Sequence, residues 1–141
     1  MNELNITGVI PPVITPFDET GEPNLDAYGR LLDFLLKYVH GLYPLGTYGS
    51  GPLMPKDMRI KLAEFVIKKV KGRVPIIMHI GSADTNTAVE LAQAAEKAGA
   101  DAVASIVPFY YGYDERCLTE HFTRILKSVN IPFYVYNNPG M

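Results

Sequence analysis

Hydroxyl and phenol groups recur in this 141-residue chain where apolar runs stop. Thr47, Tyr48 and Ser50 follow one run, and Ser82, Asp84 and Thr85 follow the next. Tyr110, Tyr111 and Tyr113 follow a third, and Tyr136, Asn137 and Asn138 a fourth. A phenol, with an unperturbed pKa near ~10, can both donate and accept a proton within a hydrogen-bonded chain. The segment Gly46-Thr47-Tyr48-Gly49-Ser50-Gly51 combines hydroxyls with successive backbone amides, which can form a nest for an anion such as a carboxylate. No Gly-Lys-Ser/Thr closes it, so it is not a nucleotide-phosphate loop. On the residues alone, plainer readings stand beside these. The segment can be a flexible connection whose glycines supply positive φ, and Tyr136 can be a strand-end aromatic that packs locally.

Other candidates carry less. His79 lies inside an apolar run, either facing a ligand or satisfied in the core. Cys117 is the only cysteine, so it cannot form an internal disulfide, which fits a reducing compartment. His121 stands one helical turn away from it; the pair could touch, but it reads as helix surface. His40, His79 and His121 are far apart, and no grouping has metal-ligand spacing, so neither a metal nor another cofactor is expected. The formal net charge is −2, and the densest basic cluster, Lys68, Lys69 and Lys71, closes a single helix, where it complements the helix dipole. Nucleic acid is therefore not an expected partner. No apolar run approaches the ~20 residues a membrane span needs. Met1 to Thr7 is short and polar, which predicts no signal peptide and a cytoplasmic protein.

The elements that would position these groups alternate. With 48% hydrophobic residues, a packed core is within reach of a single domain over residues 1–141. The first apolar run, from Gly8 to Pro16, is an unusual strand, because each proline removes a ladder donor. Asn24 can cap a helix carrying Leu25, Tyr28, Leu32, Leu35 and Val39, with Gly41 closing it. Leu42 to Leu45 is the second strand, and Pro55 opens a helix with Met58, Leu62, Phe65 and Val66 as its stripe and Gly72 at its end. Strand three runs from Val74 to Ile80, followed by an alanine-rich helix from about Thr85 to Ala98 that Gly99 stops. Strand four is Asp101 to Val107. Asp114 caps a helix with Leu118, Phe122, Ile125 and Leu126 on one face, and strand five is Ile131 to Tyr136.

The order is β-α-β-α-β-α-β-α-β, with a repeat of about 30 residues, the size of one βα unit. Parallel strands with helical crossovers follow. Their nearly continuous apolar character predicts cover on both faces. A doubly wound sheet and a barrel compete. The glycine-rich loop follows strand two rather than strand one, and no Gly-x-Gly-x-x-Gly opens a helix, which disfavours a dinucleotide fold. The prediction is an α/β fold, a partial TIM (β/α)8 barrel; a full barrel takes roughly 250 residues.

Four segments together resemble the dihydrodipicolinate synthase / N-acetylneuraminate lyase family. Thr15-Pro16-Phe17 is similar to its Thr-Pro-Phe, residues 46–50 to its Gly-Thr-Thr-Gly-Glu, Pro108-Phe109-Tyr110-Tyr111 to its Pro-Tyr-Tyr, and Tyr136-Asn137-Asn138-Pro139 to its Tyr-Asn-x-Pro. Order and spacing agree from about residue 6 to the end. The resemblance implies a class I aldolase-type lyase or synthase acting on pyruvate or a related 2-oxo acid through a lysine Schiff base that serves as an electron sink. It assigns Tyr136 to proton shuttling, Thr47 to the relay and, with the Tyr48 amide, to the substrate carboxylate, and Tyr110 to a relay completed across a subunit interface. It also implies a homo-oligomer, a tetramer in the family. Tyr48 replaces the family's second threonine, Ser50 its glutamate, and Met141 an arginine that binds the aldehyde substrate in dihydrodipicolinate synthases. Methionine cannot form a bidentate ion pair. These departures point towards another 2-oxo acid aldolase, lyase or dehydratase.

The family's lysine ends strand six, beyond the five strands predicted. Lys37, Lys61, Lys68, Lys69, Lys97 and Lys127 read as helix surface, Lys56 opens a helix and Lys71 ends one. None offers the desolvated site that lowers a Schiff-base lysine's pKa. Two expectations remain. The chain is the N-terminal half of an active barrel, or it is a non-catalytic half-barrel that binds a 2-oxo acid or a complementing C-terminal half through its open edges.

Overall fold

Five parallel strands follow one another around an arc, each separated from the next by a helix. The computed structural model describes residues 6–138. The strands are β1 (Pro12–Val13), β2 (Tyr43–Pro44), β3 (Ile77–His79), β4 (Ala102–Ile106) and β5 (Phe133–Tyr136). The helices are α1 (Leu25–Leu35), α2 (Lys56–Val70), α3 (Thr85–Ala98) and α4 (Glu115–Leu126). β1 pairs with β2, and β3, β4 and β5 pair in that order, all in parallel. A single parallel bridge from Leu42 to Ile76 joins the two groups, with Leu42 N–H donating to Pro75 and Ile77 N–H to Leu42. Neighbours in space are thus neighbours in sequence, as the wall of a TIM barrel requires.

β1 is short for the reason its prolines suggest: a ladder cannot run through residues without an N–H. Between Phe17 and Pro23 the chain makes an isolated antiparallel bridge, held by the Asp18 carboxylate accepting from Thr20 and Glu22, so one local turn interrupts the otherwise parallel pattern.

Three helices begin on a side-chain cap. Asn24 accepts from Ala27 N–H, Asp84 from Thr87 N–H and Asp114 from Cys117 N–H. α2 instead starts after Pro55, whose φ of −55° suits the position. Two expected stops move. α1 ends at Leu35, well before Gly41, and α2 ends on Lys71, which itself takes the left-handed conformation ahead of Gly72. A short 3₁₀ turn at Gly51–Leu53, which no periodicity announced, links β2 to α2.

The core lies between the helices and the outer face of the strands. Val13, Leu42, Ile76, Met78, Ile80 and Val103 project outward to meet Tyr28, Leu32, Leu62, Val66, Ala88, Leu91, Ala92 and Ile125. The inner residues of the same strands line an open cavity. Cover on both faces is met at β4, where Ala102–Ile106 are all buried, and fails at β5, which is exposed on Tyr134, Val135 and Tyr136 alike, with no sixth strand beside it among the described residues. Leu126 also departs from expectation, being exposed while Ile125 beside it is fully buried. Among the described residues no helix is long and apolar enough to cross a membrane. Pro139, Gly140 and Met141 lie outside the described residues.

The glycines after β2 answer a packing demand. A Cβ on Gly51 would lie 1.7 Å from the Leu45 carbonyl oxygen, and one on Gly49 would lie 2.7 Å from that of Val13. The positive φ belongs to Leu45 (62°) and Ser50 (56°) rather than to those glycines, so the flexible-connection reading gives way to a tight, backbone-packed turn. Gly51→Ala should cost about 2–4 kcal/mol, because the obstructing atom is backbone and cannot rotate away. Thermal unfolding followed by circular dichroism checks this, and a change below about 0.5 kcal/mol, typical of an indifferent surface position, would contradict it.

Candidate active site

The cavity of about 520 Å³ enclosed by the arc is where the strand-end groups meet. Its lining is apolar at Ile10, Pro12, Ile77, Ala104 and Ile106 and polar or aromatic at Tyr43, Gly46, Thr47, Tyr48, His79, Tyr136 and Asn138. Thr47, Tyr48 and Tyr136, drawn from the ends of β2 and β5, therefore share one concave surface. Parallel strands deliver their C-terminal ends to the same rim, where ligands bind in such folds.

The turn after β2 is built so that its tip is presented. Gly49 and Gly51 N–H donate to the Gly46 carbonyl, and Ser50 N–H to that of Thr47. Those bonds do not use the amides of Thr47 and Tyr48, which stand at the exposed tip beside the Thr47 hydroxyl. Tyr48 is 73% exposed at the mouth of the cavity, a broad phenol where a small hydroxyl would leave space.

Beneath the turn lies a group that composition alone did not single out. Arg59, on α2, is buried, and its guanidinium forks to the carbonyls of Gly81 (2.9 Å) and His79 (3.1 Å). It forms none of the described ion pairs, and burial lowers its pKa to about 10, so it stays charged at neutral pH. The signal was present in the sequence: Arg59 sits three, four and seven residues before Leu62, Ala63 and Val66, on the buried stripe itself.

His79 is only 4% exposed yet contributes to the cavity wall. Its Nδ1 lies 3.0 Å from the Leu45 carbonyl, which can only accept, so Nδ1 carries the proton and Nε2 is left as an acceptor. Burial first, and the Arg59 charge second, hold its pKa down at about 4, against the Leu45 hydrogen bond. The two readings of His79 merge: it is a satisfied core histidine at the edge of the site. Tyr43, on β2, is the second unannounced residue. Its ring stacks on that of Tyr136 (6.4 Å, 21°) and meets His79 edge-on (5.8 Å, 73°). Burial, then the neighbouring Tyr136, push its pKa well above the usual phenol value.

Tyr110 is not part of this cavity wall. It is 88% exposed on the loop after β4, has a φ of 90°, and packs edge-to-face with Tyr111 at 4.8 Å, while Tyr111 meets Tyr113 at 6.5 Å. Thr15 is buried near Tyr28 and does not line the cavity, while Phe17 of the same segment is exposed. Cys117 and His121 do not pair. The thiol is exposed and held in its neutral form by Asp114, while His121 turns inward to Thr85 Oγ1 at 2.8 Å. No lysine lines the cavity, and no group of three metal-binding side chains forms among the described residues.

A five-stranded segment of TIM-barrel wall with polar groups at its C-terminal rim defines the class. Residues 5–141 match the model of the dihydrodipicolinate synthetase family, and the chain belongs to that family. It is 40% identical over 136 residues to a 4-hydroxy-tetrahydrodipicolinate synthase of Brucella suis biovar 1, covering 96% of this chain and 46% of the relative. It is 38% identical over 142 residues to an uncharacterized DapA-like lyase of Halobacterium salinarum, covering 97% of this chain and 45% of the relative. Among solved structures, YagE of E. coli, in complex with pyruvate, superposes with a TM-score of 0.93 at 35% identity over 96% of this chain and 46% of its own. CdNal of Clostridium difficile, in complex with mannosamine, superposes with a TM-score of 0.94 at 26% identity, over 97% and 48%. The chain thus spans about half the length of the curated relatives it matches.

The His79 environment makes stability depend on pH. The folded histidine takes up a proton only near pH 4, whereas the unfolded one does so near the ordinary imidazole value of 6.5. Stability from this group is complete above pH 6.5 and declines as pH falls towards about 4, by up to about 3 kcal/mol. His121, also depressed by burial, acts in the same direction. Urea unfolding across this range should show a shallower pH slope for His79→Asn than for the parent chain, and equal slopes would contradict the assignment.

Proposed function

We propose that this chain supplies the carboxylate-binding turn and proton-relay tyrosines of a class I aldolase-type lyase acting on pyruvate or a related 2-oxo acid. The Schiff-base lysine comes from outside these 141 residues. The observation that carries the proposal is the meeting of Thr47, Tyr48 and Tyr136 on one cavity wall. Family membership and the pyruvate complex of YagE add support.

The roles follow from chemistry. The amides of Thr47 and Tyr48 and the Thr47 hydroxyl can hold a carboxylate at the rim of β2. With the carboxylate fixed there, the 2-oxo carbon faces the interior, where a lysine amine attacks it and water leaves. The resulting protonated imine takes up the electron pair released when a bond at the adjacent carbon breaks, and the enamine so formed gives that pair back when a bond forms there. Tyr136, at the end of β5, moves the proton that each of these steps requires. Tyr110 reaches outward, and we assign it to the same relay across a contact between subunits of a homo-oligomer. A single domain over residues 1–141 in a cytoplasmic enzyme completes this reading. Tyr48, Ser50 and Met141 favour a 2-oxo acid aldolase, lyase or dehydratase other than dihydrodipicolinate synthase.

Borohydride reduction in the presence of pyruvate tests the proposal on a barrel in which this chain is continued through its lysine-bearing half. A pyruvyl adduct on one lysine is expected, and its absence overturns the proposal. In that barrel Tyr136→Phe should lower kcat about 10²–10⁴-fold, the range general acid–base catalysis contributes.

The exposure of both faces of β5 favours a second reading, a non-catalytic half-barrel whose edge takes up a 2-oxo acid or a complementing polypeptide. Sedimentation of the 141-residue chain separates the two. A monomer that binds no ligand contradicts this second reading.

A further inference from the structure

We infer that Tyr43 is a positioning residue for Tyr136, orienting its phenol across the barrel interior and tying it to the turn that carries Thr47. The inference rests on the role proposed above for Tyr136.

β2 and β5 are not neighbours in the sheet, because β3 and β4 lie between them. The Tyr43–Tyr136 stack at 6.4 Å therefore spans the cavity rather than running along a ladder. Tyr136 ends the outermost strand and is 54% exposed, and among the described ring contacts only Tyr43 meets it. Two soft side-chain torsions would otherwise leave its hydroxyl free to sweep the rim.

Tyr43 is itself confined. Its Cε1 lies 3.2 Å from where a Cβ on Gly46 would stand, so the bare glycine lets the ring lie close against the turn. The His79 ring closes its other side edge-on, and His79 is pinned through Leu45. An aromatic face held in this way can fix the plane of the ring stacked on it. Gly46 immediately precedes Thr47, so one ring links the carboxylate turn to the proposed proton donor. The contact is made by the ring face, and phenylalanine can reproduce it where leucine cannot.

Two measurements test this. In the lysine-bearing barrel, Tyr43→Leu should lower kcat about ten- to a hundredfold, the effect of a misplaced catalytic group, with KM for pyruvate within about twofold. Tyr43→Phe should stay within about threefold of the parent. Equal kcat in all three proteins, or equal losses in Tyr43→Leu and Tyr43→Phe, overturns the inference. In the 141-residue chain, ring-labelled tyrosine NMR, assigned with Tyr136→Phe, should show the Tyr136 resonance displaced by Tyr43→Leu and kept by Tyr43→Phe. Gly46→Ala, which presses on the Tyr43 ring, should displace it as well, so the test survives a leucine variant that fails to fold. An unmoved Tyr136 resonance overturns the inference. Absence of a pyruvate adduct in the parent barrel would remove the proposed function alone, and the NMR result would still decide whether Tyr43 orients Tyr136.

Discussion

The carbonyl of Leu45 is the point on which the site depends. Leu45, the residue after β2, is in a left-handed conformation, which a branched side chain adopts only against a cost of about 1–2 kcal/mol. That twist turns its oxygen towards His79 Nδ1 on one side and the backbone of Gly51 on the other. The hydrogen bond from His79 fixes the oxygen, and Gly51 can lie against it because it has no Cβ. From that junction the turn projects Thr47 and Tyr48 into the cavity.

A second layer of constraint holds His79 in place. Arg59 reaches from α2 through the core to the carbonyls of His79 and Gly81, at the end of β3. A buried guanidinium without a carboxylate partner is costly to desolvate, and the two carbonyls offset that only in part. Burial first, and the cation second, keep the imidazole neutral, so His79 donates to Leu45 with a defined tautomer. The path from α2 to the rim is thus Arg59, His79, Leu45 and the turn, and its first two contacts join residues distant in sequence. Tyr43, against His79 and Gly46, extends the same network towards Tyr136.

The polarity of the molecule follows from where its faces meet other protein. The outer strand face and the helices form a closed core, sealed by caps at Asn24, Asp84 and Asp114. β5 is open, and the apolar part of the cavity lining is the kind of surface a barrel fills with layers of side chains.

The order of elements was legible in the sequence because it rests on local physics. Apolar runs alternate with helical periodicity, Asp and Asn stand where helices begin, and Gly99 stops α3 as expected. The rim residues Thr47, Tyr48 and Tyr136 could also be named in advance, since parallel strands with helical crossovers leave their C-terminal ends on one side. Tertiary structure alone decided the rest. Tyr43 read as one more residue in an apolar run, because stacking across the barrel is set by a partner dozens of residues away; Arg59 falls on the buried stripe of α2, but which carbonyls it meets is set by the packing of that helix on β3. The glycines of the turn looked like sources of conformational freedom, but they are places where one backbone touches another. Periodicity shows which face of an element turns inward; only the packed chain determines what that face meets.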